Sequence, residues 1–342
     1  MIVIKINKEI KAFCLLFYLF CILCSLPVLA QDKQQEHINT LHAKLAKAKE
    51  DTNKVYLYLN LLYEYLYFKP ADGLKFEKPG LELAEKIGWK KGVMLIKNQV
   101  GRLHWRMGNF QDALKNHFEA LQLSMEEGDE KFSASLLGAI GQDYADGGQY
   151  PQALIYTSKA LRKYEEMGDK GNMSYMHGIL SWIYSSQGNY AESSKSNYAA
   201  LRICEELNDK EGVAVATANL ASDYLNLGNY TEALNYTQKS IKLLQESGDK
   251  INLGVSYNQN GKIYSILGNF SEALKNYLIG LKIGVEINEN SLRAASHEGI
   301  GQVYQKKMNY TEALKYYSLA VEEFKSVSNN QSLSSIYSNM GI

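Results

Sequence analysis

A chain of 342 residues with 37 basic and 37 acidic side chains carries no net charge, which excludes a global field for recruiting nucleic acid or an acidic membrane. Apolar residues at 46% are ample for a packed core, and only four prolines suit an almost entirely helical chain. Cys204 is the one cysteine beyond the first thirty residues, so the remainder has no pair from which to close an intramolecular disulfide.

Residues 1–30 read as an export signal. Lys5, Lys8 and Lys11 form a basic leader, Ala12 to Leu26 is an apolar run of 15 residues, and Val28-Leu29-Ala30 offers a small-residue cleavage site before Gln31. The run falls short of the roughly 20 residues of a membrane span, an uncleaved anchor being the alternative. Cys14, Cys21 and Cys24 lie inside it, and none follows the small residues that cleavage for a lipid anchor requires. Without residues 1–30 the chain keeps 34 basic and 36 acidic groups and no basic stripe (37 less Lys5, Lys8 and Lys11; 37 less Glu9). The expected place of the protein is therefore the periplasmic or extracellular side of a bacterial envelope. Residues 31–50 form a polar, helical lead-in. Residues 51–90 fit the repeating unit described next only loosely: Gly73-Leu74 aligns with Ala113-Leu114, Pro70 stands at an aromatic position, and Pro79-Gly80 is expected to interrupt the second helix. Terminal repeats need atypical outer faces, so this stretch reads as a divergent N-terminal cap.

From residue 91 one unit recurs every 40 residues without insertion, marked by Gly108-Asn109-Phe110, Gly148-Gln149-Tyr150, Gly188-Asn189-Tyr190, Gly228-Asn229-Tyr230, Gly268-Asn269-Phe270 and Met308-Asn309-Tyr310. Each unit holds two runs of helical period, as in Ile251 to Leu267 and Phe270 to Ile287, and so makes a helical hairpin. Glycine at the first break suits a left-handed cap. The Asn after it, with Glu three residues on, predicts capping boxes at Asn189/Glu192, Asn229/Glu232, Asn269/Glu272 and Asn309/Glu312. The second break supplies Asp129, Asp169, Asp209 and Asp249 to cap the next helix. Small residues fill one column at Gly101, Gly141, Ser181, Ala221, Gly261 and Gly301, and another at Ala113, Ala153, Ser193, Ala233, Ala273 and Ala313, where helices are expected to approach closely. Between them His104, Tyr144, Tyr184, Tyr224, Tyr264 and Tyr304 are expected to fill the space between successive hairpins. Six such units span 91–330. Residues 331–342 match the start of a further first helix, with Gly341 in the glycine column. That pattern is expected of a chain cut from a longer protein, with an uncovered face open to fraying or self-association.

Gly141-x-x-Tyr144 followed by Ala153, and Gly261-x-x-Tyr264 followed by Ala273 and Tyr277, resemble the Gly, Tyr, Ala and Phe positions of the tetratricopeptide repeat. The resemblance covers nearly all of 91–342, with a period longer than the usual 34 and without the family's Trp and Pro positions. It implies an all-α, right-handed superhelical solenoid of antiparallel helix hairpins whose first helices line a concave groove. It also implies ligand contacts three residues before and one and four after the glycine column. Carried over by register, these are Asn98, Arg102 and Trp105; Gly138, Gln142 and Ala145; Gly178, Trp182 and Ser185; Ala218, Ser222 and Leu225; Asn258, Lys262 and Ser265; and Glu298, Gln302 and Gln305. Among them Asn98, Arg102, Trp105, Gln142, Trp182, Asn258, Lys262, Glu298 and Gln302 are the candidate peptide-binding residues. Asn98 with Arg102, and Asn258 with Lys262, stand four apart on one helical face, where amide and cation can act together on a peptide backbone or carboxylate. Trp105 and Trp182 are the expected anchors.

Catalytic chemistry is sparse. No metal-binding His/Glu motif or glycine-rich phosphate loop occurs, and no cysteine pair survives export, so no cofactor is implied. His37 and His42 belong to different faces of the lead-in, while His104, His177 and His297 occupy register positions, as does Cys204 beside Tyr164, Leu244 and Phe324. Sequons at Asn172, Asn229, Asn235, Asn269, Asn309 and Asn330 largely follow the turn consensus, though a eukaryotic secretory pathway would accept them. The 25 tyrosines lack the accompanying cations of a nucleic-acid surface. The expected function is a non-catalytic, exported scaffold that binds protein or peptide partners. The export signal, the Glu50-Asp51-Thr52-Asn53-Lys54 segment and the turn punctuation together also resemble the extracytoplasmic sensor regions of bacterial signalling proteins. That resemblance implies, as the alternative, a sensor module whose histidine kinase, nucleotide cyclase or DNA-binding output is absent from these residues.

Overall fold

The computed structural model of the chain describes residues 34–326 and 330–341, and every regular element in them is helical. The export signal expected over 1–30 lies outside these residues. The chain divides into two compact units, Met1–Gly148 and Gln149–Ile342.

In the first unit, helix α1 (34–47) turns Ile38 and Leu41, three residues apart, into a core with Leu62, Tyr65, Phe76, Leu83, Ile96 and Leu103. The lead-in is thus amphipathic rather than only polar. Helix α2 (Thr52–Phe68) starts at Asp51, whose carboxylate accepts the Asn53 and Lys54 amides at 2.9 and 3.2 Å. The second half of this hairpin is broken into α3 (Pro70–Gly73), a 3-10 turn (Leu74–Phe76) and α4 (Glu77–Lys86). The break falls before Glu77 and not at Pro79-Gly80. Pro79 is the third residue of α4, where a backbone N–H would have no helical partner to lose. Helices α5 (Lys90–Arg106), α6 (Phe110–Glu126) and α7 (Glu130–Asp146) complete the unit.

The second unit holds α8 (Tyr150–Met167), α9 (Lys170–Ser186), α10 (Tyr190–Leu207), α11 (Lys210–Asn226), α12 (Tyr230–Ser247), α13 (Lys250–Ile266), α14 (Phe270–Glu286), α15 (Asn290–Lys306), α16 (Tyr310–Ser326) and α17 (Asn330–Met340). Its apolar core comes in small clusters between neighbouring helices. Ala200, Leu201 and Leu220 form one, Leu225, Ala233 and Ile263 the next, then Ala273, Tyr277 and Val303, and finally Ala313, Tyr317 and Ile336. A stack of one repeated unit buries its apolar faces in this serial way.

All four aspartate caps form: Asp129, Asp169, Asp209 and Asp249 accept the amides of Phe132, Asn172, Gly212 and Asn252 at 3.0 to 3.2 Å. The capping boxes form by half. Asn189, Asn269 and Asn309 accept the amides of Glu192, Glu272 and Glu312, whereas Asn229 makes no side-chain cap bond. Those glutamates turn outward to Lys195, Lys275 and Lys315, since a helix surface sets residues three apart side by side.

The glycine column has a sharper role than close helix approach. A Cβ on Gly101 would stand 2.5 Å from the His117 ring, one on Gly261 3.0 Å from the Tyr277 ring, and one on Gly301 2.7 Å from the Tyr317 ring. These three glycines seat the large residue sixteen positions on, whereas Gly141 is followed at that distance by Thr157. Where the column holds Ser181 or Ala221 instead, the residue sixteen on is the smaller Asn197 or Thr237. Tyr224 of the aromatic column stacks on Tyr236, with centroids 5.5 Å apart, and its hydroxyl meets that of Tyr198 on the preceding hairpin at 2.7 Å. Rings there do bridge successive hairpins.

Met308 occupies the left-handed position filled by Gly268 one unit earlier, at φ 57° against 78°. A side chain in that conformation costs roughly 1–2 kcal/mol, while glycine's looser unfolded chain gives back about 0.5–1 kcal/mol. Met308→Gly is therefore expected to stabilise the second unit by about 0.5–1 kcal/mol, seen as a higher denaturation midpoint.

Asp223 of α11 is 1% exposed and accepts from Ser193 Oγ at 2.7 Å and Asn197 Nδ2 at 2.8 Å. Burial pushes its carboxyl above the ordinary 3.8, and these hydrogen bonds pull it part way back. The folded chain then holds this proton more tightly than the unfolded chain. The contribution is full below 3.8 and is lost as pH rises through the raised folded value. Acidification from neutrality toward 3.8 is expected to raise stability at this site, and Asp223→Asn to flatten that rise in denaturation curves taken across the range.

Candidate functional site

The first helices of three consecutive hairpins, α11, α13 and α15, line a cleft of about 340 Å³. Ser222 and Leu225 come from α11, Val255, Asn258, Gln259 and Lys262 from α13, and Ala295, Glu298, Gly299 and Gln302 from α15, with Tyr277 of α14 at the floor. Repetition explains the convergence. Val255 and Ala295 share one register position, Asn258 and Glu298 a second, and Ser222, Lys262 and Gln302 a third, so each helix turns the same face to the cleft.

Hydrogen bonds between helices hold the walls. Gln259 Nε2 donates to Ser222 Oγ at 2.7 Å and to the Ala218 carbonyl at 3.4 Å, tying α13 to α11. Asn258 Oδ1 accepts from Ser296 Oγ at 2.9 Å and its Nδ2 donates to the Leu292 carbonyl at 3.5 Å, tying α13 to α15. Gly280 makes room for this, since a Cβ there would stand 2.2 Å from Asn258 Oδ1. Lys306 Nζ reaches the Ser265 carbonyl at 3.2 Å, and Gln305 Nε2 the Asn339 carbonyl at 3.3 Å. Asn258 and Gln305 thus serve the stack itself. Asn258 is engaged with α15, while Lys262, one turn on, is exposed.

The remaining groups set the electrostatics. Glu298 is half-buried, accepts from Gln302 Nε2 at 3.2 Å, and makes no ion pair within 4.0 Å among the described residues. Burial pushes its carboxyl up, and Lys262 pulls it part way back. Burial and then the Glu298 charge push the Tyr277 phenol up; the same two causes raise Tyr317 to about 12. The cleft is therefore a poorly solvated acidic point with an exposed ammonium at its rim.

The structure brings together Asn258, Lys262, Glu298 and Gln302 from the candidate residues. Trp182 belongs to the same unit, on α9, and is 42% exposed. Asn98, Arg102, Trp105 and Gln142 belong to the first unit. There Arg102 Nη1 donates to Gln99 Oε1 at 3.3 Å and its guanidinium lies 6.0 Å from the Tyr63 ring centre. Trp105 is half-buried and donates from Nε1 to Asp146 Oδ2 at 2.6 Å, so its indole is held by the fold. Asn98 and Gln142 are half-buried. Of the histidines at register positions, His297 Nδ1 meets Glu323 Oε2 at 2.8 Å, and burial lowers the His177 pKa. Sequence reasoning did not single out Gly299 or Gln259. Gly299 departs from its column of Gln99, Ala139, Ile179, Asn219 and Gln259, which was the available signal. A Cβ at 299 would stand 2.2 Å from Tyr277 Cε1, so this glycine admits the phenol to the cleft floor.

Among the described residues no three His, Cys, Asp or Glu side chains are grouped to hold a metal ion, and no helix is long and apolar enough to cross a membrane. No curated protein matches the sequence. Among solved structures, a Rap protein complexed with competence and sporulation factor is 16% identical, with a TM-score of 0.59 over 90% of this chain and 91% of that one. The apo quorum sensor NprR from B. thuringiensis is 17% identical, with a TM-score of 0.57 over 92% and 94%. Aspartyl phosphate phosphatase F from Bacillus subtilis is 14% identical, with a TM-score of 0.61 over 90% and 93%. At such identities the likeness is one of fold alone. The profile of the tetratricopeptide repeat matches residues 92–166, 176–246 and 212–283, more than half of the chain. With tandem helical hairpins in each unit and these matched residues, the chain belongs to the tetratricopeptide repeat family.

Proposed function

We propose that this chain is a non-catalytic, exported scaffold that takes a protein or peptide segment in the cleft of α11, α13 and α15. The observation that carries the reading is Glu298, a half-buried carboxylate with one amide partner, set beside Lys262 and Gln302 at a cleft floor. A desolvated charge with unused acceptor capacity is costly to keep unless something binds it. The complex of a Rap protein with competence and sporulation factor is a parallel on a like fold. The export reading rests on the leader, apolar run and cleavage site of residues 1–30. The test is a crosslinking capture from the native envelope with the full chain and with Lys262→Ala, Glu298→Ala and Gln302→Ala combined. Partners held by the native chain and lost by the variant, at equal helicity, are the expected result. An unchanged set of partners removes the reading.

A second reading, an extracytoplasmic sensor module, rests on the export signal and the segment Glu50 to Lys54. In the fold that segment supplies the Asp51 cap of α2, a local role that any helix start could share. Genomic DNA following codon 342 tests it: an in-frame apolar stretch of about 20 residues leading to a kinase, cyclase or DNA-binding domain supports the sensor. A stop codon there favours the free scaffold.

A further inference from the structure

The three cleft positions of α13, Val255, Asn258 and Lys262, have register equivalents on α9, α11 and α15. On α9 they are Tyr175, Gly178 and Trp182; on α11, Val215, Ala218 and Ser222; on α15, Ala295, Glu298 and Gln302. The face is graded. Tyr175 is 57% and Trp182 42% exposed, seven residues or two turns apart on one side of α9. Gly178 stands between them, and nothing lies within 4 Å of where its Cβ would be. Two exposed rings with open space between them make a notch for an apolar side chain. Val215 and Val255, 43% and 51% exposed, continue the apolar strip, and it gives way to the half-buried Glu298 carboxylate, which makes no ion pair among the described residues.

We infer that this face reads a peptide by two anchors in a fixed order: an aromatic or large aliphatic side chain seated between Tyr175 and Trp182, and a cationic group, from Lys, Arg or an amino terminus, on Glu298. The inference rests on the groove reading above and names its ligand. The cation belongs on Glu298 and not an anion on Lys262, because a solvated ammonium gains little from pairing whereas a desolvated carboxylate gains much. Lys262 then faces the peptide's carbonyl groups. Neighbouring packed helices lie about 8–10 Å apart, so α9 and α15 are roughly 25–30 Å apart along the face. An extended chain rising about 3.3 Å per residue spans this with about eight or nine residues.

A random dodecapeptide library displayed on phage, panned against the full chain and against Trp182→Ala and Glu298→Gln, tests this. Neither Trp182 nor Glu298 is among the buried core side chains, and circular dichroism checks that each variant is folded. The native chain is expected to enrich an aromatic or large aliphatic residue and a Lys or Arg about seven to ten positions apart in one order. Trp182→Ala erases the first preference and Glu298→Gln the second, and a selected synthetic peptide binds each variant about tenfold more weakly or worse. Acetylating that peptide's amino terminus decides the source of the cation: affinity kept assigns it to the side chain, affinity lost to the terminus. Enriched peptides without this pair, or equal binding to both variants, overturn the inference. The groove reading survives that result if those peptides still fail to bind Lys262→Ala combined with Gln302→Ala. Enrichment of no sequence removes both.

Discussion

Asp143→Leu is expected to destabilise the first unit by about 3–5 kcal/mol, although Leu103, Ile183, Ile263 and Val303 fill the same register position. His117 Nδ1 and Asp143 Oδ2 lie 2.6 Å apart with both side chains 2% exposed, and His117 Nε2 has no hydrogen-bond partner among the described residues. Burial pushes the Asp143 carboxyl up, and His117 opposes that. Removing the carboxylate leaves both imidazole nitrogens buried without a partner, which costs more than an apolar side chain regains. The pair itself is not a large source of stability, because desolvation offsets most of its attraction. Asp143→Leu with His117→Leu is therefore expected to return to within about 1–2 kcal/mol of the native chain. A repeat stack need not unfold as one, so the measurement is native-state hydrogen exchange of α6 and α7. A single substitution that costs less than about 1 kcal/mol would show that the pair is not desolvated as the structure has it.

Gly299→Ala is expected to cost about 1–3 kcal/mol and to close the cleft. The added methyl would stand 2.2 and 2.3 Å from Tyr277 Cε1 and Cζ, and the ring cannot retreat, since it already lies close over Gly261. It must move into the cleft, where Glu298 and Lys262 face each other. Gly178→Ala is the contrast: with open space at its Cβ, it should leave the denaturation midpoint unchanged or raise it. Gly299→Ala with Tyr277→Leu removes the ring that the methyl strikes, and should recover part of the loss. Equal midpoints for the native chain and Gly299→Ala would mean that Tyr277 has another place to go.

Much of the fold was legible because its determinants are local. The Asp129, Asp169, Asp209 and Asp249 caps need only a side chain and an amide three residues on, and all of them form. The capping boxes were legible by half, since the glutamate could turn inward to the cap or outward to a lysine, and Lys195, Lys275 and Lys315 draw it outward. Pro79-Gly80 misled because the cost of a proline depends on where the helix begins, and α4 begins only two residues earlier. In the cleft, register put Asn258, Lys262, Glu298 and Gln302 on one lining but could not assign partners. Asn258 and Lys262 stand one turn apart on α13, yet one side chain is bonded to α15 and the other lies in solvent.

The sequence by itself determined the repeat, its 40-residue period, the hairpins and which positions share a face, because all of these follow from spacing along one chain. Tertiary structure alone decided which of those positions still have free capacity. A hydrogen bond from a neighbouring helix takes up Asn258 and Gln305, an aspartate takes up Trp105, and the Tyr277 ring rests at the cleft floor in the space that a side chain at position 299 would take. Glu298 is left half-buried and, among the described residues, without an ion pair, a condition set by what surrounds it in three dimensions and carried by no spacing in the chain.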